Sequence, residues 1–301
     1  MVSPSSAARL AQARKSLDAA KPPILIVGAS RAAADEFALA LAAERGATFG
    51  VTRMGLTELV AKLAVPALAK RGLTPSAPLS DEAVAARVAD DLLARDQLEY
   101  FTPVGLMPGF PRALSRTLSE LRMAGIDPDR LSGHPGNDDL SELLASTIEA
   151  REKAGAVDYA TMLETATAGL TAHPEFLATT TVVLLDVAIN SKAEAVFVRA
   201  VIAAAMAVVV TVPTGDRRTL EELGLDPAGT APGGDAALHR LQRHLFTDQP
   251  LSAGESDESV VLFSAPGEGR EAIEIARRLL TEAAQGTPFD QMAVLLRAPH
   301  T

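Results

Sequence analysis

The most constraining feature of this sequence is an apolar run, a glycine and a helical pattern that follow one another within residues 21–41 (KPPILIVGASRAAADEFALAL). Residues 24–27 are continuously apolar and follow two prolines, which predicts a short buried strand. Gly28 permits a sharp turn. From residue 31 onwards, apolar residues recur at helical spacing. A strand, a glycine turn and a helix in this order form the scaffold of a phosphate-binding loop.

Such a loop holds phosphate oxygens on backbone N–H groups at a helix N-terminus, where the helix dipole favours an anion. The working motif also requires a second glycine, a lysine that reaches the outer phosphates, and a Ser or Thr that binds magnesium. Ala32, Ala33 and Ala34 stand at those positions, and the dipeptide Gly-Lys occurs nowhere in the chain. The sequence therefore predicts a nucleotide-binding fold without its catalytic lysine.

Composition limits the classes of protein to which the chain can belong. No apolar run approaches ~20 residues, so we expect no transmembrane helix and no membrane partner. The chain has no cysteine, which excludes disulfides and thiol nucleophiles and fits a reducing, cytoplasmic compartment. The formal net charge of −10 weighs against a protein that coats nucleic acid by phosphate contacts alone, and a local basic groove stays open as an alternative.

Strands alternate with helices in the first and last parts of the sequence, whereas residues 80–172 have helical patterns throughout. Beyond the first strand, short strands are predicted at residues 48–52, 181–186, 207–212, 260–264 and 292–297. This order predicts an α/β fold with a parallel, doubly wound sheet and an α-helical insertion. We expect one α/β domain from residues 1–75 plus 176–301 and an insertion domain from residues 76–175. Because the sequence stops directly after a strand pattern, we also expect a longer natural protein.

The first candidate site is the turn after the first strand. Ser30 and Arg31 follow Gly28 and lie at the start of the predicted helix, where they are placed to hold an anion. A plain strand-to-helix turn of a parallel sheet explains the glycine equally well. Without a lysine, fast phosphoryl transfer is difficult to support.

Two further candidates lie at the ends of predicted strands. Asp186 ends the strand at residues 181–186, which is where phosphate-loop enzymes bind magnesium, but Val187 follows it in place of a glutamate. The alternative for Asp186 is an Asp that caps the next turn. Arg297 ends the last predicted strand, where an arginine facing a nucleotide would stabilise phosphate charge, and an ordinary surface arginine is the alternative.

A third group consists of Thr52, Arg53 and Thr57, between a predicted strand and a helix at the expected ligand edge of the sheet. An arginine with hydroxyls suits a DNA phosphate, and simple helix capping is the alternative. Metal binding is not expected, because His239 and His244 diverge on one helix. No lysine has an Asp or Glu two residues before it, so the sequence lacks the Asp/Glu-x-Lys motif of magnesium nucleases.

Together these segments resemble superfamily-1 DNA helicases of the UvrD/Rep kind, and more closely the degenerate AddB/RexB-like proteins, which join an inactivated helicase to a PD-(D/E)XK nuclease domain. Four segments resemble, in order, the family's phosphate loop, the motif that contacts single-stranded DNA, the helix before the magnesium strand, and the magnesium strand itself: residues 24–37, 49–64, 157–166 and 181–191. The most similar stretch, residues 260–299, contains Arg297 at the position of an arginine that reaches the terminal phosphate.

The resemblance implies a P-loop NTPase-like (RecA-like) fold and a role in DNA repair or recombination, with single-stranded DNA and a partner helicase subunit as partners. The departures are Ala33 for the lysine, Ala34 for the magnesium hydroxyl and Val187 for the glutamate. They imply no ATP hydrolysis and no cofactor beyond weakly bound ATP and magnesium, and the nuclease would be the catalytic part of the full protein. The alternatives are a nucleotide-dependent enzyme with a modified phosphate loop and an interaction module without DNA contact.

Overall fold

The computed structural model of the chain describes residues 1–3, 5–131, 133–226, 236–244 and 254–296. The backbone forms two compact units, Met1–Pro232 and Gly233–Thr301, and each is treated by itself below. Among the helices of the described ranges, none has the length and hydrophobicity that crossing a bilayer requires.

The first unit alternates short strands with helices. In chain order the elements are β1 (Val2–Ser3), α1 (Ser6–Ser16), β2 (Ile24–Gly28), α2 (Arg31–Arg45), β3 (Val51–Gly55), α3 (Leu56–Lys70), β4 (Thr74–Pro75), α4 (Pro78–Ala94), α5 (Phe110–Met123), α6 (Asn137–Lys153), β5 (Ala156–Val157), α7 (Tyr159–Ala172), β6 (Thr181–Leu185), α8 (Lys192–Ala204), β7 (Ala207–Pro213) and α9 (Arg217–Leu223). The α/β class expected from the sequence is confirmed.

The main sheet has five parallel strands in the order β1-β7-β6-β2-β3. β2 lies between β3 and β6, with Val27 opposite Met54 on one side and Leu184 on the other. The parallel sheet predicted from the alternating pattern is therefore confirmed. Strand β2, which leads into the glycine turn, is the direct neighbour of β6, which precedes Asp186. β4 and β5 form a separate pair of two-residue strands.

Both faces of the sheet are covered, because every residue of β2 and β6 is buried. Ile24 and Ile26 pack with α1 and α2 on one face. Leu25 and Val27 pack with α3, α7 and α8 on the other. The helices that follow the adjacent strands β2 and β6 thus lie on opposite faces, so the winding direction reverses between these strands. A doubly wound sheet has its ligand crevice at such a switch point, outside the carboxyl ends of the strands.

The helical middle of the chain contributes to two cores. Helices α4, α5 and α6 share a core of their own, to which Val88, Leu118 and Leu144 belong. Helix α7 instead packs Leu163 and Ala166 into the core between the sheet and helices α3 and α8. Residues 76–175, expected to form one insertion domain, therefore do not all pack together, and the domain division drawn from the sequence stays a prediction.

Several element boundaries differ from the sequence-based expectation. Strand β3 begins at Val51, three residues later than predicted, because residues 48–50 form the loop whose Gly50 carbonyl accepts from the N–H of Ile24. Strand β1 was not predicted, since two residues are too few to show a periodic pattern. Strand β5, which pairs with β4, interrupts the segment of residues 80–172 that was expected to be helical throughout.

The second unit contains α10 (Ala237–His244) and α11 (Glu268–Ala284), and a 3-10 turn at Phe289–Gln291 follows α11. The strands predicted at residues 260–264 and 292–297 are wrong for their described parts, because residues 260–264 and 292–296 form no strand. A strand needs a neighbour for its backbone N–H and C=O groups, and the described residues of this unit supply none. Leu262 and Leu295 are accordingly 96% and 94% exposed. Arg297 lies outside the described residues.

Candidate functional site

The turn between β2 and α2 is as tight as the glycine predicts. Only Ala29 and Ser30 separate the end of β2 from the start of α2. The N–H of Ala29 donates to the carbonyl of Leu185 at 2.9 Å, so the turn is tied to the end of β6. A Cβ on Gly28 would lie 2.6 Å from the carbonyl oxygen of Ser30, which is closer than a non-bonded carbon and oxygen approach in proteins. The position therefore requires glycine for packing, whether or not an anion binds.

Ser30 caps helix α2. Its hydroxyl oxygen accepts a hydrogen bond from the N–H of Ala33 at 3.1 Å, and its carbonyl accepts from the N–H of Ala34 at 3.2 Å. Two of the N–H groups at this helix start are therefore bonded within the chain. A phosphate at this position would compete with the cap for the N–H of Ala33.

Four alternating charges lie beside this turn, on α2, β3 and α3. Arg31 pairs with Asp35 and with Glu58, each at 3.2 Å, and Arg53 pairs with the same Asp35 at 3.2 Å. All four side chains are between 38% and 50% exposed. We call these four residues the charged cluster. Two cations and two anions balance within it, so it presents no net positive charge to a phosphate.

The ion pairs of the charged cluster also set its protonation. The N–H of Gly55 donates to Glu58 at 2.9 Å, and this bond, followed by the bond from Arg31, lowers the pKa of Glu58. The bonds to Glu58 and then to Asp35 raise the pKa of Arg31. The Arg31–Glu58 pair is therefore fully charged at neutral pH, and the carboxylate stays in competition with any incoming anion for the guanidinium.

The residues expected to contact DNA are placed less favourably than the sequence suggests. Thr52 and Arg53 lie within β3, opposite Leu25 and Ile26 of β2, and not in the loop after the strand. The expectation that they lie at the strand's carboxyl end is wrong, because β3 starts and ends later than predicted. Thr57 lies in the first turn of α3, near the side chain of Tyr159 on α7.

Asp186 follows β6 directly and has a backbone φ of 48°, which is uncommon for a residue other than glycine. Its carboxylate accepts two hydrogen bonds from Arg9, from Nε at 2.9 Å and from Nη2 at 2.7 Å. The hydroxyl of Thr211, at the end of β7, donates to the same carboxylate at 2.7 Å. A bidentate pair of this kind, between a guanidinium and a carboxylate, is among the strongest charge-assisted contacts in proteins.

Arg9 is a site residue that the sequence-based search missed. It lies on α1, and its side chain is 5% exposed, whereas that of Asp186 is 24% exposed. A third guanidinium nitrogen, Nη1, donates to the carbonyl of Ser3. One sequence signal was available: Arg9 lies four residues before Ala13 on α1, so both belong to the face that packs against the sheet.

Asp186 does not fit the magnesium ligand that the helicase resemblance implies. Both of its carboxylate oxygens accept hydrogen bonds from a buried cation, and one also accepts from Thr211. A divalent ion at this carboxylate would lie against a guanidinium of like charge. Elsewhere in the described ranges, no group of three or more His, Cys, Asp or Glu side chains is arranged to hold a metal ion.

The structure brings most of the predicted residues to one region of the sheet. Gly28 pairs with Gly55 of β3 and with Leu185 of β6, so the turn, the start of α3 and Asp186 are neighbours at the carboxyl ends of three strands, whereas Arg53 lies within β3. Most of their polar side chains are bonded to other parts of the same chain. No family model matches the chain, and a search of the curated proteins also finds no match.

Proposed function

We propose that this chain is an inactivated, helicase-like region of a DNA repair or recombination helicase–nuclease. In this proposal it hydrolyses no ATP, and it guides single-stranded DNA or scaffolds a partner helicase subunit. The P-loop NTPase-like (RecA-like) assignment is part of the proposal and rests on the order of motifs along the sequence. The strand order of β3-β2-β6-β7 is that of flavodoxin-like doubly wound sheets, so it supports a sheet with a ligand crevice at its switch point and no finer assignment.

The observation that carries the proposal is the pairing of Asp186 with Arg9. ATP hydrolysis on this kind of sheet uses magnesium held near the strand end and a lysine on the outer phosphates. Ala33 stands at the lysine position, and the carboxylate that would hold magnesium is bonded to a guanidinium at 2.7 and 2.9 Å. Both cationic contacts to the phosphates are thereby lost.

The charge distribution favours a scaffold over a path for DNA. Affinity for a nucleic acid backbone comes mainly from Lys and Arg that neutralise phosphates. Arg31 and Arg53 are each paired with a carboxylate in the charged cluster, and the whole chain carries a formal charge of −10. Thr52 is exposed on an edge strand, but a single hydroxyl adds little to phosphate binding.

An ATPase assay with and without single-stranded DNA tests the proposal. We expect no turnover above that of the Asp186→Asn variant, which controls for contaminating ATPases. Magnesium-dependent turnover at the rate of an active helicase, lost in Asp186→Asn, would refute it. Fluorescence anisotropy with a single-stranded oligonucleotide at rising salt then separates the two roles. A guide binds the oligonucleotide at low salt with an affinity that falls as salt rises, and a scaffold does not bind it.

A second candidate is a nucleotide-binding protein with a modified phosphate loop. The tight turn at Gly28, which leads directly into α2 beside the end of β6, favours it, because a helix N-terminus at a switch point attracts anions. Calorimetry with magnesium–ATP discriminates between the two. Micromolar binding that is lost in Ser30→Glu would support this candidate over the inactivated region.

A further inference from the structure

Oxygen atoms from two distant parts of the chain accept hydrogen bonds from the guanidinium of Arg9. Asp186 contributes both carboxylate oxygens, and Ser3 contributes its carbonyl oxygen. The hydroxyl of Thr211 donates to one of these carboxylate oxygens at 2.7 Å. With the guanidinium taken away, a largely buried, oxygen-lined pocket with one negative charge would remain. Such an oxygen set, with a carboxylate at its centre, is suited to a cation.

Arg9 is carried by the segment that covers the β7 side of the sheet. We call residues 1–3 and 5–17 the strap. Its strand β1 pairs with β7 over two residues only, Val2 opposite Val212 and Ser3 opposite Pro213. Ala13 and Leu17 pack into the core on the face that α2 also covers. The contact with Asp186 joins the strap to a residue 177 positions later in the chain.

We propose that the guanidinium of Arg9 is the permanent counter-charge of Asp186 at the switch point. In this proposal the strap occupies the carboxyl end of β6, where a metal or a nucleotide would otherwise bind. A largely buried carboxylate requires a counter-charge, because leaving one unpaired is strongly destabilising. Ala33 provides no lysine for this purpose, and the guanidinium of Arg9 approaches from α1 instead. The backbone of Asp186, with its φ of 48°, is then held in place by the bonds from Arg9 and Thr211.

Chemical rescue of an Arg9→Ala variant tests this proposal. We expect its melting temperature to fall by about 6 °C or more, since a broken buried ion pair is costly. Millimolar guanidinium chloride should recover part of the loss, whereas the same concentration of sodium chloride should not. Combining Arg9→Ala with Asp186→Asn should abolish the recovery, because the pocket then has no negative charge.

Arg14→Ala is the matched control, because Arg14 lies on the same helix and pairs with Glu44 at 2.7 Å, with side chains 24% and 53% exposed. It should melt close to the unaltered chain and should not respond to guanidinium. If Arg9→Ala does not fold, Arg9→Lys replaces it, because lysine retains the charge but cannot form the bidentate contact with Asp186. We then expect a melting temperature below that of the unaltered chain that does not change when guanidinium is added.

Three results would overturn the proposal: equal melting temperatures for the Arg9 and Arg14 variants, recovery by sodium chloride as strong as that by guanidinium, or binding of Mn²⁺ to the unaltered chain that Asp186→Asn removes. The last result would place a metal on Asp186 while Arg9 is present. The melting temperatures do not involve ATP turnover, so they can refute this proposal while the proposed function stands, whereas Mn²⁺ on Asp186 would also remove the observation that supports the proposed function.

Discussion

Asp158, the N-cap of α7, joins that helix to α5 and α6 through buried ion pairs, and its replacement tests how the first unit is held together. Its Oδ1 accepts from the N–H and from the hydroxyl of Thr161, each at 2.8 Å, and so caps α7. Its Oδ2 accepts from Arg122 on α5 at 3.4 Å and from Arg151 on α6 at 3.3 Å. The side chain of Asp158 is 11% exposed and that of Arg151 is 5% exposed.

The two contributions of Asp158 separate in two variants. Asp158→Asn keeps an oxygen for the helix cap but loses the charge, whereas Asp158→Ala loses both. Removing one partner of a buried ion pair costs about 3–5 kcal/mol. Arg151 keeps Asp81 at 3.0 Å and Arg122 keeps Glu164 at 3.2 Å, so we take the lower end of that range. We expect a loss of about 3 kcal/mol for Asp158→Asn and about 1 kcal/mol more for Asp158→Ala.

Urea unfolding followed by far-UV circular dichroism measures these free energies from the midpoint and slope of the transition. Glu149→Gln is the control, because its pair with Lys153 joins side chains that are 64% and 73% exposed, and it should leave the urea midpoint close to that of the unaltered chain. If Asp158→Asn unfolds at the same urea concentration as this control, the ion pairs of Asp158 do not stabilise the fold and the reasoning is wrong.

Three further predictions concern Asp158, Gly28 and Asp35. Burial alone would raise the pKa of Asp158, but the bonds from Thr161 and the charges of Arg122 and Arg151 lower it below its ordinary value of 3.8. The stability that ionised Asp158 contributes is therefore complete above pH 3.8 and is lost as pH falls through the lower folded-state pKa. Acid unfolding should show this loss in the unaltered chain and not in Asp158→Asn. Gly28→Ala should lower the free energy of unfolding by about 1–3 kcal/mol, because its Cβ would lie 2.6 Å from a backbone oxygen, and urea unfolding checks this. Asp35→Asn removes the carboxylate that Arg31 and Arg53 share, so it should increase the affinity for a single-stranded oligonucleotide in low salt, with Glu36→Gln as the control.

The central part of the fold was predictable because its signals are local. The continuous apolar runs of β2 and β6 reflect burial on both faces, which is typical of parallel strands in the middle of a sheet. The helices α2 and α8 show the spacing of an apolar stripe, and each begins at a serine cap, Ser30 or Ser191. Alternation of such strands and helices was enough to predict a parallel sheet.

The errors arose where formation of a strand depends on a distant partner. Residues 260–264 have the apolar character of a strand, but a strand forms only beside another strand, and sequence periodicity contains no information about which neighbour is within reach. The opposite error occurred with β1, which is two residues long and exists because the edge of β7 accepts it. Neither outcome is encoded in the residues of the segment itself.

The candidate site shows the same division between local and distant information. Its glycine turn and its strand-end aspartate could be found from the sequence, but the meaning of Asp186 depends on Arg9, which is 177 residues away. Read alone, an aspartate after a buried strand indicates a metal ligand or a turn cap. In the structure it is the acceptor of a buried guanidinium, and that contact is formed only when α1 packs on the sheet.

The two unusual features of the site are connected through charge. A phosphate-loop lysine and a magnesium ion would together place positive charge beside the carboxylate at the strand end. Without a lysine, a metal or Arg9, Asp186 would be a largely buried anion with no cationic partner, and such an anion would destabilise the sheet. In the proposed function, Arg9 supplies this charge without any ligand, so the alanine at position 33 and the arginine at position 9 compensate for each other. A lysine at position 33 would then add a second cation beside a carboxylate that is already paired, and we expect Ala33→Lys to bind magnesium–ATP only when it is combined with Arg9→Ala, as calorimetry of the single and double variants would reveal.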